Sequence, residues 1–90
     1  MRNRDLRPGD TVRHFKRGLL TPQELEREPD MYRYEIICIA THTETREELV
    51  VSRALYGGGD IYARPWDMFM SETDREKYPQ AQQKYRFERE

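Results

Sequence analysis

The sequence predicts a mainly β domain: a curled antiparallel sheet of about five strands with one or two short helical turns. Three observations carry that expectation. The stretch from Tyr34 to Phe69 holds the densest run of β-branched and aromatic residues in the chain. Turn signals, above all Gly57-Gly58-Gly59-Asp60, cut that stretch into pieces of strand length. Its most apolar piece, Tyr34 to Thr41, is too short for a typical helix.

Each element has a local reason. Pro8-Gly9-Asp10 is a turn signal, and Thr11–Phe15 after it alternates as a strand does. Val12 and His14 share one face of that strand, Arg13 and Phe15 the other, and Lys16-Arg17-Gly18 ends it. Leu19 to Arg33 reads as an insertion holding one short helix. Thr21 is placed to cap it, Pro22 suits its first position and Glu24 its third. Pro29 stops the pattern within two turns, so the helix must lean Leu19, Leu20 or Leu25 on the sheet. Tyr34–Thr41 is apolar on both faces, which predicts a central strand covered on both sides. Thr43–Glu48 is polar and suits a hairpin tip, with Leu49–Leu55 as the return strand. Three glycines supply positive φ for the next turn. Ile61–Arg64 then forms a strand that ends at Pro65, which has no N–H to give a ladder. Trp66–Phe69 reads as a single turn that tucks large side chains into an open end of the sheet. Ser71–Asp74 offers caps for a second short helix through Lys77, closed by Pro79. Tyr85–Glu88 alternates aromatic with charged residues, as a closing edge strand whose charges discourage edge-to-edge pairing.

Composition narrows the functional class. The 90 residues make one domain, 1–90, with 1–9 expected to be flexible. Arg2, Arg4 and Arg7 could reach a phosphate, but solvated charges on a frayed terminus are the better reading. A net charge of −1 argues against a protein devoted to non-specific nucleic-acid binding, while leaving room for a local basic stripe. Cys38 is the only cysteine, so neither an intramolecular disulfide nor a cysteine zinc cluster can form. Its apolar neighbours predict a small buried hydrophobe rather than a reactive thiol. There is no apolar leader-like segment near Met1 and no stretch long enough to span a bilayer. The expectation is a cytoplasmic protein with no membrane partner.

No catalytic motif is present. The glycine run lacks the following lysine and helix of a phosphate-cradling loop. His14 and His42, with Glu44 or Asp60, could hold a metal, but chance placement at strand ends explains them as well. No metal and no cofactor are therefore expected. A nucleophilic Cys38–His pair would need an exposed cysteine at a strand centre. The more informative set interleaves arginines with aromatics: Arg13, His14, Arg53, Tyr56, Tyr62, Arg64 and Trp66. Such a surface stacks bases or clamps carboxylate and phosphate. The binding residues expected from it are His14, Arg53, Tyr56, Tyr62, Arg64 and Trp66. A structural reading competes, in which Arg53 pairs with Glu35 and the large aromatics Trp66 and Tyr62 serve the core.

Several blocks taken together resemble a known family. Arg13-His14-Phe15-Lys16, Tyr34-Glu35-Ile36 with Ile39-Ala40, and His42-Thr43-Glu44-Thr45 are followed by Glu48-Leu49-Val50-Val51, Arg53-Ala54-Leu55-Tyr56-Gly57 and Ala63-Arg64-Pro65 with Met68-Phe69. In this order, from Gly9 to Phe69, they resemble the bacterial family called domain of unknown function 1653. Met70-Ser71-Glu72 and Lys84-Tyr85-Arg86-Phe87 resemble the tail of its longer members, as does the Leu19–Arg33 insertion. The resemblance implies a small SH3-like β-barrel and no particular activity. Ser52 stands where a tyrosine is expected, and a tryptophan often found near Ile61 or Tyr62 is missing. Small barrels of this kind usually act as adaptors, an analogy from fold alone. The expected function is a non-enzymatic binding module for a protein, single-stranded nucleic acid or small anionic ligand. The alternatives are a homo-oligomeric structural domain and a small metal-dependent enzyme using His14, His42 and Glu44.

Overall fold

Apolar side chains from four of the strands gather on one face of a single sheet, and that face holds the core. The computed structural model describes residues 6–90, so the reading of Arg2 and Arg4 lies outside the described residues. In chain order the elements are β1 (Thr11–His14), a 3₁₀ turn (Phe15–Leu19), α1 (Pro22–Arg27), β2 (Arg33–Thr41), β3 (Glu48–Ala54), β4 (Ile61–Pro65), α2 (Trp66–Phe69) and β5 (Phe87–Arg89). The strands form one antiparallel sheet in the order β4-β3-β2-β1-β5. Val12, Ile36, Val50 and Phe87 meet on its inner face, and Phe69 from α2 closes over them; all five are at most 3% exposed. Burial of each such side chain stabilises the fold by roughly 1.5–3 kcal/mol. Among the described residues no helix is long and apolar enough to cross a membrane.

The sheet does not close into the expected barrel. Its edge strands, β4 and β5, make no ladder with each other. β5 has only three residues, and α2 stands between the two edges. Side chains bridge the gap instead. Phe69 stacks on Phe87 with ring centres 4.0 Å apart, and the Arg64 guanidinium lies 5.4 Å from the centre of the Phe87 ring.

β2 is central in order, yet it is covered on one face only. The register shifts between Ile36, which faces Ser52, and Cys38, which faces Val51. This bulge inserts Ile37 as an extra residue and reverses the alternation beyond it. Ile39 therefore turns inward, Ile37 is 38% exposed, and Cys38 lies exposed rather than buried as expected. The rest of the outer face is a set of ion pairs. Arg53 meets Glu35 at 2.6 Å, Arg33 meets both Glu90 and Asp30 at 2.6 Å, and Arg13 meets Glu88 at 3.4 Å. Exposed pairs of this sort contribute about 0–1 kcal/mol each, but they leave the face electrically quiet.

α1 starts as its residues dictate. The Thr21 hydroxyl accepts from the Glu24 N–H, and the Glu24 carboxylate accepts from the Thr21 N–H. The second helix expected after Ser71 does not form. Thr73 N–H donates to the Lys84 carbonyl and Arg86 N–H to the Ser71 carbonyl, with Glu72 bridged to Tyr85. These bonds commit residues 71–73 to extended backbone, so the Asp74 carboxylate caps only a single turn through the N–H groups of Glu76 and Lys77.

Candidate anion-binding site

β1 ends at His14 because its ring turns back to accept a hydrogen bond from the Lys16 N–H, at 3.1 Å to Nδ1. The ring sits inward, 9% exposed, with the rings of Phe15 and Phe87 centred 4.5 and 4.8 Å away. With its lone pair on Nδ1 engaged, the neutral imidazole carries its proton on Nε2. That Nε2–H has no partner among the described residues, and it is not sealed from solvent. Burial, reinforced by the charges of Arg64, Lys16 and Arg86, lowers the His14 pKa to about 4. At neutral pH the ring is an uncharged hydrogen-bond donor.

Beside it opens a cavity of about 270 Å³. Lys16 reaches it from the 3₁₀ turn, Arg64 from β4, Lys77 and Tyr78 from the turn after Asp74, and Arg86 from the residue before β5. Among the described residues none of these four cations forms an ion pair, in contrast with the arginines of the outer face. Lys16 and Lys77 rest 5.8 and 5.6 Å from the centre of the Tyr78 ring, a contact that holds the ammonium groups while leaving donors free. Among the described residues Asp74 is the one carboxylate lining the cavity, and its Oδ1 is engaged by backbone N–H groups. Four cations against one carboxylate leave a strongly positive recess.

Arg64 also lines a second cavity of about 190 Å³, walled by Tyr34, Tyr62 and Phe87 with Ser52 among its lining residues. The Tyr34 and Tyr56 hydroxyls are 2.6 Å apart, and burial together with that hydrogen bond pushes the Tyr34 phenol well above its ordinary range. Ser52 is 4% exposed.

Of the residues read from sequence, His14 and Arg64 belong to the positive recess, and Tyr62 and Tyr56 to the aromatic row beside it. Arg53 lies on the opposite face, tied to Glu35, and Trp66 is half-buried against the core. His42 is not near His14. β1 runs beside the first residues of β2, whereas His42 follows its last, and the His42 Nδ1 accepts from the N–H groups of Glu44 and Thr45 within the hairpin. Among the described residues no group of three His, Cys, Asp or Glu side chains could hold a metal. Sequence reasoning missed Lys16, Lys77, Tyr78 and Arg86 as lining residues of this recess. Nothing local marks the last three, since they join the pocket only through the pairing of residues 71–73 with 84–86.

No curated protein matches the chain, and neither does any solved structure. A family model described as "Protein of unknown function (DUF1653)" matches residues 10–89, nearly the whole chain, and the chain belongs to that family.

Proposed function

We propose that this domain is a non-enzymatic binding module that captures an anionic group in the recess beside His14. The supporting observation is the set of four cations, without ion-pair partners among the described residues, that line one cavity with the neutral His14. Guanidinium and ammonium groups drawn from separate segments suit the dispersed oxygens of a phosphate or carboxylate. The same geometry disfavours catalysis. His14 spends its Nδ1 lone pair on the Lys16 N–H, which leaves the neutral ring no free lone pair with which to act as a general base. The arginine–aromatic face read from sequence thus contracts to His14 and Arg64, joined by Lys16, Lys77 and Arg86.

The test is an amide NMR titration with inorganic phosphate and pyrophosphate at low and moderate salt. Shifts should localise to Lys16, Arg64, Lys77 and Arg86 and weaken with salt. Arg86→Glu should abolish them, while Arg53→Ala, on the far face, should leave them intact. A titration that moves no amide around the recess, or an equal loss in both variants, would sink the reading.

A further inference from the structure

We propose that the ligand is a nucleotide, its phosphate held in the recess beside His14 and its base in the adjoining cavity against Tyr62. This rests on the anion-binding reading and adds the chemistry of the second cavity. The two cavities share Arg64, which lies over the Phe87 ring, so a group held by that guanidinium borders both. A short aromatic row connects them: His14 to Phe87 at 4.8 Å, Phe87 to Tyr34 at 5.6 Å and Tyr34 to Tyr62 at 6.4 Å between ring centres. At the outer end, on edge strand β4, Tyr62 is 45% exposed and presents ring surface to solvent. Aromatic rings beside a positive track form the arrangement that binds single nucleotides of a strand, because every base has a face to stack.

The lining of the second cavity separates a base from simpler rings. Ser52 is almost fully buried, lines the cavity and brings a hydroxyl side chain to it. A base carries donors and acceptors on its edge that can meet that hydroxyl. The phenyl ring of a phosphotyrosine has none, and a free sugar phosphate leaves the aromatic walls uncovered.

Calorimetric titrations of the full chain with ribose 5-phosphate, adenosine 5′-monophosphate, phosphotyrosine and a short single-stranded oligoadenylate decide the matter. The nucleotide should bind about tenfold more tightly than ribose 5-phosphate, within the range one stacked base contributes. Tyr62→Ala should remove that excess and leave ribose 5-phosphate binding unchanged, with an unaltered thermal melt because the ring is exposed. An oligonucleotide that outbinds the mononucleotide identifies a single strand as the source; equal binding identifies the free nucleotide. Equal affinity for nucleotide and ribose 5-phosphate would overturn the proposal while leaving the anion pocket standing. Phosphotyrosine as the tightest binder would overturn it in favour of a phosphopeptide. Failure of every phosphate compound would overturn both readings.

Discussion

Acidification should destabilise this fold through one residue. His14 has a pKa of about 4 in the folded protein against 6.5 for the unperturbed side chain, with burial as the leading cause. Between those values the unfolded chain binds a proton that the folded chain refuses, so stability rises with pH across the window and is lost as pH falls through it. Going from pH 7 to pH 5 costs about 2 kcal/mol, and the loss levels off near 3 kcal/mol below about pH 4. For a domain of this size 2 kcal/mol corresponds to a drop of about 10 °C in Tm. The assay is urea denaturation at both pH values for the native protein and His14→Asn, whose Oδ1 can still accept from the Lys16 N–H. Carboxylates common to both proteins, such as Glu90 with its pKa lowered by the hydrogen bond from Arg33, cancel in the comparison. The native protein should lose about 2 kcal/mol more than the variant. Equal losses would refute the reasoning. Saturating phosphate should shrink the difference, since a bound anion offsets the cations that oppose protonation of the ring.

Two further outcomes test the packing. Phe69→Ala should cost about 3–4 kcal/mol in urea denaturation, because the ring is 1% exposed and stacked on Phe87 where the sheet edges fail to pair. A loss below about 1 kcal/mol would mean that the gap is closed by something else. Cys38 should react with a maleimide in the native protein about as fast as in urea, since the bulge turns it outward. Reaction only after denaturation would restore the buried thiol.

Features governed by neighbours in sequence are legible from the residues alone. The helix at Pro22–Arg27 starts where Thr21, Pro22 and Glu24 require it, because a capping box needs only residues within one turn. The glycine turn follows the same logic, with Gly57 and Gly59 at φ of 59° and 73°. All five strands lie where alternation and apolar runs place them, with shifts of one or two residues at their ends, the closing strand Phe87–Arg89 included. Where two elements must choose each other, the pattern runs out. Ser71–Asp74 has good caps, yet it pairs with Lys84–Arg86 because those distant backbone groups satisfy it better than a short helix would.

Local chemistry in the sequence determined the strands, the turns, the capped helix and the presence of arginines among aromatics. Tertiary structure alone decided three things: that the sheet stays open, that Cys38 faces solvent, and which cations lack an ion pair among the described residues. The bulge at Ile37 depends on how β2 registers against β3, and a single extra residue reverses every side chain beyond it. Arg53 and Arg64 look alike in the sequence, but one finds Glu35 across the outer face while the other finds Phe87 and a cavity lined by three further cations. A charge becomes a site only when its neighbours in space leave it unneutralised, and those neighbours are set by pairings between residues far apart in the chain.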